Sequence, residues 1–564
     1  MKKDPVSFSD RQSLLAQLKH DSEHQWDVVI IGGGIIGAGI LREATRKGLK
    51  TLLIEQRDFA WGTSSRSSKM VHGGLRYIAQ GDIKLTKHSV RERERLLREA
   101  PGLINRMGYY FLIRKGQFPG RFVMSALLCI YDWLAGIKDN RFFNKRALVK
   151  YFNGIEENKL KGAYYYTDTV VDDARLVLRV LQESMASGGQ VLNYAKAVKL
   201  IKDNDQQVTG IVIEDTSKSE TSVTENNEQF SVKAKVVINA TGAWADRLRS
   251  EVINEKRIRP LRGSHLLFAQ QKLPIDAALT LFHPEDKRPV FICAWEGVTL
   301  VGTTDLDHNE NLDNEASISQ EEVDYLLNVI TMYFPKSNIT AADVLSSYAG
   351  VRPVITSDSS FNKNKQSSTK KVPSKERRDH AVWADKGLIT ASGGKLTTFR
   401  LTAIDTLNAA MPWLEGKELE DEIEPTQQTN SDKVFDTPDI SDLSHLNLNN
   451  TTSEWQQRIL GRYGSNAKYL LSDVDSNELS LIESTQFCLA ECRWAAKHEA
   501  VNHLDDLLLR RTRLGLLLKN GAQQLLPHLA LICQQELGWD AQKWQDEVSR
   551  YQAIWHKHYS LPKQ

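Results

Sequence analysis

Cysteine is scarce in this chain. Five cysteines, Cys129, Cys293, Cys488, Cys492 and Cys533, are scattered over 564 residues. The number is odd and no CxxC pair occurs, which excludes a disulfide framework and points to a reducing compartment. Cys488 and Cys492 stand one helical turn apart with His498 nearby, but a metal site needs further ligands at matching spacing and the sequence offers none. An excess of one charge is also missing. The formal net charge is +2, so bulk electrostatics makes no case for nucleic acid, and no base-reading motif adds one. Long apolar runs are absent as well. The most apolar early stretch, Val28 to Leu41, is glycine-rich and shorter than the ~20 residues that cross a bilayer. Residues 1–26 mix acids with bases and lack an apolar core, the pattern of neither a secretory signal nor a transit peptide.

What is present is an ordinary globular composition, 41% hydrophobic and 26% charged, in a chain long enough for several domains. The apolar strand Val28 to Ile31 runs into a glycine turn, a helix ending near Lys47-Gly48, and a second strand at Thr51 to Ile54. This is half of a doubly wound unit. Asp82 to Glu99, with Arg91-Glu92-Arg93-Glu94-Arg95, reads as a solvated helix. The polar segments Thr216 to Gln229 and Phe361 to Lys375 read as mobile insertions between strands. Thr426 to Thr452, rich in Asn, Asp, Ser and Thr, reads as a linker to a separate helical C-terminal domain.

The turn Gly32-Gly33-Gly34-Ile35-Ile36-Gly37 matches GxGxxG between a strand and a helix. Gly32 permits the tight turn, Gly34 lets the backbone approach a pyrophosphate, and Gly37 lets helix pack on strand. The pyrophosphate then meets free N–H groups at the helix start. Glu55 closes the second strand, placed to accept from a ribose hydroxyl. FAD and NAD both use this element. Val236 to Asn239 followed by Ala240-Thr241-Gly242 favours FAD, because in two-domain flavoproteins such a strand returns its backbone to the dinucleotide.

Several further stretches occur in a familiar order. They are Thr63-Ser64-Ser65-Arg66-Ser67-Ser68-Lys69, His72-Gly73-Gly74-Leu75-Arg76-Tyr77, Asp172 to Leu176, Arg262-Gly263-Ser264-His265, Val301-Gly302-Thr303-Thr304-Asp305, Tyr348 to Pro353, and Gly393-Gly394-Lys395-Leu396-Thr397-Thr398. From about Trp26 to Ala403 the chain resembles the FAD-dependent, quinone-linked glycerol-3-phosphate dehydrogenases, and more weakly beyond. Two departures stand out: Ile40-Leu41-Arg42-Glu43 where the family has an alanine and an aspartate, and Phe399 where it prefers tyrosine.

The resemblance implies an α/β fold: a Rossmann-like FAD-binding domain with an inserted mixed β-sheet substrate or cap domain, plus an α-helical C-terminal domain. The expected boundaries are an N-terminal extension at 1–25, an oxidoreductase region at 26–425, a linker at 426–452 and a helical domain at 453–564. Within the oxidoreductase region, cofactor segments fall near 26–100, 160–250 and 380–410, and cap segments near 101–159 and 251–379. It further implies non-covalent FAD, glycerol 3-phosphate as substrate, a quinone acceptor, a homodimer, and a cytoplasmic enzyme on the inner face of the cell membrane.

Oxidising a secondary alcohol by flavin calls for a base and for cations on the phosphate. Arginine suits the phosphate because its planar fork makes two charge-assisted bonds. Arg352 leads, with Arg76 and Arg378 behind it and Arg377 an alternative to the last. His72 and His265 are the candidate bases, since histidine titrates near neutrality, and Lys395 could neutralise developing charge. Thr63, Ser64, Ser65, Ser68 and Lys69, with Gly73 and Gly74, offer hydroxyl and N–H contacts to the cofactor. Gly394, Lys395, Leu396, Thr397 and Thr398 bring a helix start toward it. Phe122 to Ile137 is apolar between Arg114, Lys115 and Arg121 on one side and Lys138, Arg141, Lys145 and Arg146 on the other. Such a segment is either a core helix or one lying in a membrane interface. Rival readings are an oxidase using O2, an amine or amino-acid oxidase, and a non-catalytic flavin-binding scaffold with a partner-binding helical domain.

Overall fold

The computed structural model describes residues 4–8, 11–20, 24–79, 81–217, 228–356, 380–414, 433–446, 448, 451–472 and 474–563. Among them the strands form an eight-stranded and a nine-stranded sheet, with helices on both and a helical C-terminal region. The expected α/β architecture is therefore observed.

The first sheet is built on Gln25–Ile31. Its last four residues, Val28 to Ile31, pair in parallel with Thr51–Ile54 on one side and with Gln229–Asn239 on the other. Leu388–Gly393 extends the sheet beyond Gln229–Asn239, and Gln190–Leu192 beyond Thr51–Ile54, all in parallel. These strands are covered on both faces, and Val28, Val29, Leu52, Val236 and Ile389 are all buried. That explains why they read as unbroken apolar runs rather than alternating ones. The hairpin Ala195–Lys202 with Val208–Asp215 adds an antiparallel edge.

The second sheet is mixed. Ile258–Ala269 pairs antiparallel with Val298–Gly302 and along its whole length with Val344–Ile355. The sheet continues through Pro289–Trp295, Ala278–Phe282 and Ile104–Arg114 to Leu160–Val171. The strand Leu160–Val171 thus belongs here, although 160–250 was expected to be a cofactor segment. The chain returns to the cofactor domain at Asp172, which caps the helix Asp173–Ala186.

Three further expectations are corrected. The helix Ile83–Glu99 is not solvated: Glu92, Arg93, Arg95 and Glu99 are buried. Its charges enter the interior because they are paired, Arg93 with Asp168 at 3.1 Å and Arg95 with Glu99 at 2.7 Å. The linker is not wholly a linker, since Val434 and Phe435 lie in the core of the cofactor domain. The Glu99 carboxylate accepts from Val434 N, and Arg42, one of the family departures, donates to Val434 O. The C-terminal region is not wholly separate: it keeps one core of its own around Trp455, Tyr463 and Trp494 and shares a second with the second sheet. In the shared core, Leu507, Leu509, Leu516 and Trp555 join Tyr109, Leu267, Trp295 and Tyr348 of that sheet. The N-terminal extension packs on the first sheet through Leu15 and Leu18 of the helix Arg11–His20.

Thr216 joins the edge hairpin at its mouth, but 218–227 and all of Phe361 to Lys375 lie outside the described residues. Cys488 and Cys492 are buried, and among the described residues no cluster of His, Cys, Asp and Glu is suited to a metal. The other departure, Phe399, is buried with its ring against Gly39 of the helix Ile35–Arg46. That position is a packing one with no demand for a hydroxyl.

Candidate active site

The site forms where the parallel strands end. Gly32 adopts φ +117°, and a Cβ there would sit 2.6 Å from the carbonyl of Ala240. Only glycine lets the returning strand come this close. At Gly37 a Cβ would run into the Gly32 carbonyl, so the helix Ile35–Arg46 packs tightly on its strand. Glu55 is held at the end of Thr51–Ile54 by Gly33 N at 2.7 Å and Arg57 N at 2.9 Å. Burial pushes its carboxyl up, against the pull of these two donors. The Ser64 hydroxyl accepts from Ile35 N at 2.9 Å and so stands over the helix start. Ala240, Thr241 and Gly242 close the far side, with Thr241 braced by Asn239 at 2.7 Å. A glycine turn, a helix start, a half-buried acid and a hydroxyl on one rim make a cradle that fits a dinucleotide.

Two loops meet beside this cradle. His72 N donates to Thr397 Oγ1, which in turn donates to His72 O, both at 3.1 Å. Gly73 N donates to Asp168 and to the Tyr131 hydroxyl. The His72-Gly73-Gly74 loop is thereby fixed to the Gly394–Thr398 turn and to the second sheet. Lys395 leads into the short helix Leu396–Thr398. Its ammonium lies 3.7 Å from the Tyr77 ring centroid and donates to Ser89 Oγ. Lys69 is different from its neighbours. Its ammonium is wholly enclosed between Ser65 O (2.7 Å) and Asp173 (2.8 Å), so it braces the loop and is not presented on it. Burial, with Arg513 close by, pushes it down to about 7.

The strand Ile258–Ala269 carries His265 to the same place. The ring is 2% exposed, stacks on Tyr348 at 4.7 Å, and meets Ser68 Oγ through Nε2 at 3.0 Å. Burial, with Lys69 and Arg352 nearby, holds this imidazole well below the usual histidine range. Its Nδ1 is buried without a hydrogen-bond partner among the described residues. On the paired strand, Arg352 Nη2 donates to Thr303 Oγ1 and Thr304 O, and Nη1 lies 3.5 Å from Asp305. A Cβ at Gly263 would collide with this guanidinium. Asp305 is fully buried and also pairs with Arg288 at 2.9 Å. Thr303 and Asp305 belong to the Val301 to Asp305 motif, which by itself assigns them no task. The signal that could have found them was their proximity to Arg352, which sequence spacing does not contain.

The structure therefore brings Ser68, His265 and Arg352 together beside the cradle. His72 contributes through its backbone. Arg76 lies on the short helix Leu75–Ala79, and its side chain is outside the described residues. Arg377 and Arg378 are outside them entirely.

A dinucleotide cradle opening onto a sheet with a buried histidine and an arginine fork defines a cofactor-dependent oxidoreductase. The family model of FAD dependent oxidoreductases matches residues 27–400, and that of the C-terminal domain of alpha-glycerophosphate oxidase matches 422–544. Aerobic glycerol-3-phosphate dehydrogenase of Staphylococcus saprophyticus is 32% identical over 520 residues, covering 88% of each chain. That of Staphylococcus aureus is 31% identical, covering 90% of this chain and 89% of the other. The crystal structure of glycerol-3-phosphate dehydrogenase from Bacillus halodurans complexed with FAD superposes with TM-score 0.73 at 25% identity, covering 98% of this chain and 97% of that one. The chain belongs to the FAD-dependent oxidoreductases, in the family of the aerobic glycerol-3-phosphate dehydrogenases.

Proposed function

We propose that the protein oxidises sn-glycerol 3-phosphate to dihydroxyacetone phosphate. FAD, when bound, supplies the hydride acceptor for carbon 2. Arg352 offers its fork to the phosphate, held in orientation by Thr303, Thr304 and Asp305. His265 is the base. Its ring is enclosed while Ser68 is half-buried on the loop, so the substrate hydroxyl gives its proton to Ser68 Oγ as that hydroxyl passes its own to His265 Nε2. Lys395 faces the same loop junction and supplies positive charge there. His72 serves by fixing the loop through its backbone. The observation that carries this reading is the convergence of His265 and Arg352 beside the cradle. Anaerobic addition of sn-glycerol 3-phosphate should bleach the flavin absorbance, whereas glycerol or an amino acid should not. A flavin that stays oxidised would refute the substrate assignment.

For the acceptor, the helix Arg121–Ala135 supports a quinone held in a membrane. It buries Met124, Leu128 and Tyr131 while leaving Phe122 88% and Trp133 77% exposed, next to Phe118 at 81%. The segment thus serves both as core and as an exposed apolar face. Arg121, Lys138, Arg141 and Arg146 around it are exposed. No helix among the described residues is long and apolar enough to cross a membrane, so contact would be interfacial. The match to a glycerophosphate oxidase C-terminal domain favours a second reading, electron transfer to O2. Stoichiometric peroxide during turnover would select that reading, and reduction of a soluble quinone without peroxide would select the first.

A further inference from the structure

We propose that Arg513, from the C-terminal helical region, is a positioning residue for the cofactor loop, so that this region completes the flavin cradle of its own chain. The inference rests on the reading of residues 63–69 as cofactor contacts. Arg513 Nη2 donates to Ser65 O at 2.6 Å and to Asp173 Oδ1 at 2.9 Å. Asp173 in turn accepts from Ser67 N at 2.9 Å and Ser67 Oγ at 2.7 Å, and binds the Lys69 ammonium. One carbonyl and one carboxylate thus gather two cations and two loop donors into a cluster whose Lys69, Asp173 and Arg513 are closed to solvent. The loop it ties down is the one whose Ser64 caps the helix start and whose Ser68 reaches His265.

The same region grips the second wall of the cradle. Arg511 binds both oxygens of Asp58 at 2.7 and 2.8 Å, and Arg510 binds Asp58 as well. Asp58 stands just after Glu55, and two residues on Ala60 N donates to Gly33 O of the glycine turn. These arginines lie on and beside the π-helical turn Asp506–Arg511, an irregularity that recurs at functional sites. At each end of the cluster a non-glycine residue holds a left-handed backbone, Lys69 at φ +59° and Arg513 at φ +62°. Such conformations cost free energy and persist where surrounding contacts over-determine them. For stability alone, apolar residues of similar volume would do as well as buried ion pairs. A cluster whose bonds end on backbone groups of the cofactor loop is better explained by positioning.

The test uses the full chain, stripped of flavin and titrated with FAD by fluorescence quenching, with thermal unfolding followed with and without FAD. Arg513→Gln should raise the FAD Kd roughly tenfold or more, since charged hydrogen bonds to the loop are lost. It should also shrink the stabilisation that FAD confers. Arg513→Lys, which retains one donor position, should fall between, at about threefold. If the glutamine variant does not fold, the lysine variant carries the test. Glu499→Gln is the control. It weakens the buried pair with Arg175 at 2.7 Å in the same interface without touching the cofactor loop, and should lower both melting temperatures while leaving the Kd within about twofold. Arg513 variants that behave like this control would overturn the proposal. Ser64→Glu sets a carboxylate at the helix start and should abolish FAD binding. If it does not, the reading of the loop itself fails, and the inference with it.

Discussion

At the scale of single residues, the site depends on a few enclosed polar groups whose partners are fixed. Arg352 is the clearest. Replacing it by lysine removes the fork and should raise KM for glycerol 3-phosphate roughly tenfold, and Arg352→Ala roughly a hundredfold, in steady-state assays. Asp305→Asn keeps the volume but drops the charge that orients the guanidinium, so KM should rise with little change in kcat. His265 makes a prediction about pH. Its folded pKa is depressed by burial, so the neutral, basic form survives below the ordinary value of about 6.5. The acid limb of kcat/KM should therefore fall below pH 6.5 rather than near 7. His265→Gln should lower kcat by two orders of magnitude or more, and Ser68→Ala should reduce kcat without raising KM. The glycine turn and the arginine of Gly-Val-Arg-Pro were legible in the sequence because each motif is local. Ser68 paired with His265, and Asp305 paired with Arg352, were not, because each pair joins segments far apart in the chain.

At the scale of elements, the helix Arg121–Ala135 shows how one stretch answers to two environments. An apolar sequence with little polar interruption cannot be sorted into core or interface by composition. The packing of Met124, Leu128 and Tyr131 fixes its rotation and leaves Phe122 and Trp133 outward. Phe122→Ser with Trp133→Ser should weaken binding to liposomes containing anionic lipid by roughly tenfold or more in a sedimentation assay, while turnover with a soluble acceptor is kept. The helix Ile83–Glu99 teaches the converse. Its charge pattern resembles that of a surface helix, and it is buried because Arg95 pairs with Glu99 within the helix while Asp168 and Arg400 from other segments meet Arg93 and Glu92.

At the scale of the whole molecule, the C-terminal region holds the residues behind the candidate cofactor loop through Arg511 and Arg513 and shares a core with the second sheet. A chain ending at residue 432 would expose the face made by Tyr109, Trp295 and Tyr348 and leave Asp58, Asp172 and Asp173 without their arginines. Such a truncation should be insoluble or hold no flavin when expressed. The paired carboxylates also set the acid limit. Burial alone would raise Asp172 and Glu547, but Arg513 and Arg462 bring Asp172 down to about 2 and His503 brings Glu547 to about 2. A carboxylate depressed on folding contributes stability that is present above its unfolded value, near 4, and lost as pH falls through the folded one. Melting temperature should therefore drop between about pH 4.5 and pH 2, and Glu547→Gln should flatten that slope.

By itself the sequence determined the parts that short-range chemistry specifies. The glycine turn between strand and helix, the parallel strands read from unbroken apolar runs, and the returning Asn-Ala-Thr-Gly strand all depend on residues adjacent in the chain. Tertiary structure alone decided which strands joined which sheet, whether charged helices lay inside or outside, and which histidine met an arginine. The assignment of Leu160–Val171 to the second sheet follows from pairing with Ile104–Arg114. The burial of Val434 and Phe435 follows from Arg42 and Glu99, which take up their backbone groups. The physical reason is common to all of these. A buried charge or backbone group is tolerated only when a partner reaches it, and those partners come from segments tens to hundreds of residues away in the chain.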